Sequence, residues 1–268
     1  MRFSVIYTTI PNRRPSVKDI VGYVKKFISF YFDRGPCILC HNILYKIHMI
    51  KKIKDSCHPT GWPAGNPKYM NTKKAWDLVG GLSKPGKMPG WAIGIPAKEC
   101  NTGSKLRLIP GSVCSTCYAL KGCYVFKVVQ DAQYRRLKAI KDKLWVAAMS
   151  TLINSKKSKV FRWHDSGDVQ SLEHLQKIFE VCKQTPTVKH WMPTKEAWIK
   201  HHLKDKPANL VIRLSSSMID QGSVKSWPNT STVVTKKASC PAPSQGGQCL
   251  DCRKCWNPAI KNISYGKH

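Results

Sequence analysis

A repeating order of short apolar runs and helical stretches sets what this chain can fold into. KVFRWH (159–164) reads as a strand, and residues 172–183 read as a helix capped by Ser171 or Asp168. Residues 187–192 read as the next strand and 195–203 as a helix. NLVIRL (209–214) is a third strand, a short helical or loop segment follows Ser217, and STVVT (231–235) is a fourth. An earlier strand lies at 91–95, ahead of a polar loop. Between 128 and 153 the period is helical: Leu137, Ile140, Leu144, Ala147, Ala148 and Leu152 share a face. Arg135, Arg136, Lys138, Lys141 and Lys143 fall largely off it, as a solvated basic face. Strands alternating with helices at this spacing specify an α/β fold with a parallel sheet, open or closed into a barrel. Ligand and catalytic groups on such sheets gather at the carboxyl ends of the strands.

The loop after the first strand carries Cys100, Cys114 and Cys117, the last two in C-x-x-C spacing. Three thiols on one loop are poorly explained by packing and read as a metal or iron–sulfur ligand set. A structural zinc wants a fourth ligand, which Cys123 could supply. A cluster held by three thiols keeps one iron open for a substrate or cofactor. A second set, Cys240, Cys249, Cys252 and Cys255, lies in CPAPSQGGQCLDCRKCW. This tail has too little apolar content for a core of its own, so metal ligation is its natural staple. The C-x-x-C-x-x-C run with a distant Cys-Pro fits a four-iron cluster somewhat better than zinc. Cys37 and Cys40, with His41, Cys57 and His58, form a weaker candidate zinc site near the N-terminus.

FRWHDSGDV (161–169) starts as a strand and ends in a small-residue turn with two carboxylates. His164 and Asp165 stand at the strand end, where they would line a site. The bland alternative is a turn and helix cap. Thr194, Lys195, Arg213, Ser215, Ser216 and Ser217 would join them at neighbouring strand ends. His190, His201 and His202 read as surface or core-edge residues.

The 268 residues carry 45 Lys+Arg against 15 Asp+Glu, a net charge of +30. Such a surplus favours a polyanionic partner, nucleic acid first, although scattered lysines also simply confer solubility. Twelve cysteines could suggest disulfides. The ligand-like spacing and the lack of a signal-peptide pattern point instead to a reducing, intracellular location. No apolar run is long enough to span a membrane. The breaker-rich SKPGKMPG (83–90) marks a boundary. Three regions are expected: a poorly defined basic segment (1–84), in which residues 21–32 form a helix or strand; an α/β domain (85–239); and a cysteine-rich metal-binding tail (240–268).

Tyr118, an aromatic directly after Cys117 in a loop following the first strand, resembles the radical S-adenosylmethionine (SAM) enzymes. Their loop is C-x-x-x-C-x-x-C plus an aromatic; here the first gap is longer, thirteen residues. Ser166, Gly167 and Asp168 look like a variant of that family's Gly-Gly-Glu-like turn. The resemblance implies a partial (β/α) barrel, with Gly167 allowing close backbone approach and Asp168 binding the SAM ammonium. C-…-C-x-x-C-Y-A (100–119), R-x-H-x-S-G-D (162–168) and the tail ending in Cys255-Trp256 together resemble the largely phage-encoded gene product 88-like family. The expectation is an iron–sulfur enzyme of a virus or prophage, acting in the host cytoplasm. It would use a 4Fe-4S cluster, SAM and an electron donor, with a second cluster or zinc in the tail, on a nucleotide or nucleic acid. Tyr118, Ser166, Gly167, Asp168, Arg213 and Ser215 would bind the cofactor. Two alternatives stand beside it. One is a zinc-stabilised nucleic-acid-binding protein without redox chemistry. The other is a nuclease using His164, Asp165 and Asp168 as metal ligands.

Overall fold

In the computed structural model, which describes residues 70–267, six strands lie side by side in chain order, all parallel. They are β1 (Trp91–Ile93), β2 (Val160–Trp163), β3 (Lys189–Thr194), β4 (Leu210–Ser215), β5 (Thr230–Val234) and β6 (Asn262–Gly266). The sheet is not closed: β1 and β6 are its edges. Right-handed crossovers that always step to the next neighbour place their connections on one face. This is the winding of a barrel, opened out, rather than of a sheet covered by helices on both sides.

The helices are α1 (Thr72–Val79), α2 (Asn101–Leu106), α3 (Lys127–Ala139), α4 (Trp145–Ser155) and α5 (Leu172–Gln184). Strand side chains alternate between faces. Phe161, Trp163, Met192, Ile212 and Leu214 share the main core with Val79, Trp145, Met149, Leu175 and Ile178 from the helices. On the opposite face Val160 and Trp191 pack with Trp256 from the tail, backed by Met88 and Tyr265. The Trp191 and Trp256 rings meet edge-on at 5.3 Å, and Trp256 Nε1 donates to Phe161 O at 2.9 Å. Burial of an indole contributes about 3–5 kcal/mol, so the tail is tied to the sheet by packing as well as by any ligand of its thiols.

Several expectations change. The helix expected over 128–153 is two helices. Asp142 Oδ1 accepts from Leu144 N at 2.7 Å, and the buried Lys177 Nζ donates to Ile140 O and Asp142 O. A side chain from α5 thus takes the carbonyls that a continuing helix would have used. Arg136 is not on a solvated face. Its guanidinium donates to Gly80 O, Gly81 O, Ser83 Oγ and Gly94 O, joining α3 to the approach and exit of β1. The segment after β3 is a 3-10 helix, Ala197–Asp205, not an α-helix. The tail supplies a sixth strand that the sequence reading missed. Residues 70–267 fall in one compact unit, and Ala75, Val79 and Leu82 lie in the same core as Ile93, ahead of the boundary expected at 83–90. Residues 21–32 and the Cys37, Cys40, His41, Cys57 and His58 set lie outside the described residues.

Candidate functional site

The loop after β1 is folded back over the strand ends by its own short turns. Ser112 accepts from Ser115 N and caps a 3-10 turn, Val113–Thr116, that carries Cys114. Val113 N donates to Ser217 O at 2.9 Å, strapping this turn to the segment after β4. Cys100 begins α2 as its N-cap. A Cβ on Gly103 would lie 3.6 Å from both Cys100 Sγ and Cys114 Sγ, so the two sulfurs flank one hollow that glycine leaves open. Burial is the largest influence on the Cys100 thiol and pushes it up. Asp168, Cys117, Cys114 and Glu196 then push in the same direction. Burial also raises Cys114, with Cys117 and Asp168 adding to it and Lys195 opposing. The three thiols, two carboxylates and one ammonium therefore share a single neighbourhood at the carboxyl ends of β1, β2 and β3.

The Ser166–Asp168 turn is built against β1. Ile95 N donates to Ser166 O, and Ser166 Oγ donates to Ile95 O, each at 2.9 Å. Gly167 has φ +83°, and a Cβ there would stand 2.3 Å from Ile95 Cγ1 and 2.8 Å from Ile95 O. Only glycine fits. Asp168 accepts from Val169 N, Thr194 Oγ1 and Lys195 N, each at 2.7 Å. Burial still holds its carboxyl up at about 6 against those donors. Lys195 Nζ donates to Ser216 O, and burial lowers its pKa against the pull of Cys114 and Asp168. Ser171, not Asp168, caps α5.

Glu196, which the sequence reading passed over, is buried and accepts from Thr102 N, Thr102 Oγ1 and Trp198 Nε1 at 3.0 Å each. It clamps α2 beside the thiols. The available signal was a carboxylate directly after a strand in a chain poor in acids. Tyr118 also holds the strand ends: its hydroxyl donates to Asp165 O at 2.6 Å and accepts from Arg162 Nη2 at 2.9 Å. Asp165 is buried, with Oδ1 lacking a partner and its pKa raised by burial against Arg162 and Arg136. A Cβ on Gly94 would lie 2.5 Å from that oxygen.

Two expected site residues point elsewhere. The His164 ring packs against His174 of α5, centroids 5.4 Å apart, in the helix layer. Both its nitrogens are buried without partners, and burial holds its pKa near 3. Arg213 spends its whole guanidinium on main-chain carbonyls of Thr230, Lys254, Cys255, Asn257 and Ile260. It anchors the tail instead of facing a cofactor. Ser215 Oγ is paired with Ser231 Oγ at 2.9 Å.

Cys240, Cys249, Cys252 and Cys255 line one small pocket with Trp256 and Ile263. Burial raises Cys255 to about 11. Its sulfur lies 3.2 Å from Tyr265 OH. Nine cysteines among the described residues are free thiols. Among the described residues no three His, Cys, Asp or Glu side chains converge on a point that would hold one metal ion. That bears hardest on a mononuclear site, where tetrahedral Zn–S bonds of about 2.3 Å bring the sulfurs within about 4 Å of each other. An iron–sulfur cage sets its ligand sulfurs further apart, because the inorganic core lies between them. No helix among the described residues is long and apolar enough to cross a membrane.

The fold and this site define an open, singly wound α/β protein with a thiol–carboxylate cluster at its strand ends and a second thiol set in its tail. No curated protein and no solved structure matches the chain. The family model described as gene product 88 matches residues 65–258, and the chain belongs to that phage family.

Proposed function

We propose that this protein is an iron–sulfur enzyme. Cys100, Cys114 and Cys117 would hold a 4Fe-4S cluster with one open iron, and S-adenosylmethionine would bind there for radical chemistry on a nucleotide or nucleic acid. The observation that carries this reading is the gathering of three loop thiols beside Asp168 at the carboxyl ends of a singly wound parallel sheet. The cluster, once reduced by an external electron donor, would supply the electron for reductive cleavage of the sulfonium. The chain's own residues do the positioning. Asp168 is oriented by Thr194 and Lys195 N and offers its carboxylate to an ammonium. Gly167 lets the turn that carries Asp168 close against Ile95. Tyr118 and Arg162 fix the second strand end beneath the loop. The tail thiols would hold a second cluster or a zinc ion.

The test is the metal content of protein purified without oxygen. The expected result is brown protein with broad absorbance near about 400 nm and about four to eight irons per chain. Cys117→Ser and Cys252→Ser should each remove about half of the iron of a two-cluster protein. Colourless protein carrying zinc alone, unchanged after iron and sulfide reconstitution, would sink the proposal. It would favour the second reading, a zinc-stabilised nucleic-acid-binding protein, which rests on the +30 charge.

A further inference from the structure

On the side of the cysteine loop formed with α3 lies a cavity of about 240 Å³ whose lining the strand-end site does not use. Its wall is made by the residues flanking the thiols: Pro96 to Lys98 before Cys100, and Ala119 and Leu120 after Cys117. Gln130, Gln133 and Tyr134 face it from α3, where i, i+3 and i+4 positions share one side. Tyr124, Lys98 and Arg107 complete it.

Three features of this lining call for the same ligand chemistry. Gln133 is only 4% exposed and lines the cavity, where its amide offers a donor and an acceptor. A ligand edge presenting both a donor and an acceptor matches such an amide. Tyr124 and Tyr134 offer aromatic rings, and base–aromatic stacking is the common currency of single-strand recognition. Lys98 and Arg107 bring positive charge to the same cavity. The acids of these elements are already engaged: Glu99 accepts from Tyr134 OH at 3.0 Å, and Asp131 pairs with Lys127 at 3.0 Å. The volume is below the usual range of about 300–1,000 Å³ for drug-sized ligands and suits one ring system with its phosphate outside.

We propose that this cavity binds one nucleoside phosphate, either a free nucleotide or one unit of a single strand. Gln133 reads the base edge, a tyrosine ring stacks on the base, and Lys98 and Arg107 hold the phosphate. The inference deepens the substrate part of the function proposed above and is independent of its metal part. The site shares a wall with the thiol loop, so a bound strand would be held against the candidate metal centre.

The experiment uses the full chain, metal-free, with a fluorescein-labelled single-stranded oligonucleotide read by anisotropy and with nucleoside monophosphates as competitors. The K98A/R107A double variant should weaken binding by on the order of tenfold or more and flatten its salt dependence. K204A/K261A removes the same charge from exposed positions that do not line the cavity and should change binding by less than about threefold. Gln133→Leu, close to isosteric, should weaken binding and reduce preference among bases. Displacement by monophosphates identifies a free nucleotide as ligand; displacement only by unlabelled strand identifies a strand. Equal losses in the two double variants would mean diffuse charge and overturn the proposal, as would no binding by the parent protein. Because iron is absent from the assay, failure here leaves the iron–sulfur reading standing, and failure to load iron leaves this one standing.

Discussion

Gly167 shows how one residue decides whether the strand-end site exists. Its positive φ is strained for any L side chain, and the space a Cβ would need is already held by Ile95. Gly167→Ala should destabilise the protein by roughly 3 kcal/mol or more, read as a lower urea midpoint at unchanged slope. At this scale the sequence was informative about chemistry and less so about direction. Asp168, Ser166 and the three loop cysteines lie together, where strand-end logic placed them. His164 and Arg213 do not. Nothing in R-x-H-x-S-G-D says that the imidazole turns toward α5, and nothing in NLVIRL says that five carbonyls wait for the guanidinium. Both are decided by segments distant in sequence.

The tail is the element whose behaviour differs most from expectation. It reads as a thiol-rich strap with no core, yet it packs Trp256 against Val160 and Trp191 on the second face of the sheet and ends in β6. Arg213 holds the turn between Lys254 and Ile260 in place. Arg213→Met should cost about 3–5 kcal/mol, because buried carbonyls are left without donors. It should also speed alkylation of Cys249, Cys252 and Cys255 relative to Cys114 and Cys117, measured by mass-resolved thiol labelling. A uniform rise at all five thiols would indicate global loosening instead. NISYG was not legible as a strand because five residues have no periodicity of their own; they become β6 only by pairing along β5. The break at 140–144 was hidden for a similar reason, since the side chain that ends α3 comes from α5.

Across the whole molecule, buried ionisable groups set the response to acid. Burial keeps His164 near 3, His190 near 4 and His174 well below its ordinary value, so the folded chain refuses protons that the unfolded chain takes up below about 6.5. Asp168, held at about 6, and Asp165, also raised, work the other way. Among the described residues the three histidines outnumber the two carboxylates, so stability falls as pH drops below about 6.5, where the unfolded imidazoles take up protons that the buried ones refuse. Asp168→Asn removes one opposing group and should steepen that fall in urea midpoints taken across the range. The alternating apolar runs were enough to specify an α/β chain with a parallel sheet, because they are a local pattern of short period. Strand order, the open edges, the meeting of Cys100 and Cys114 with Asp168, and the cavity beside Gln133 required the folded chain. Each depends on contacts between segments tens of residues apart, whose cost in loop closure is met only when the sheet brings them together.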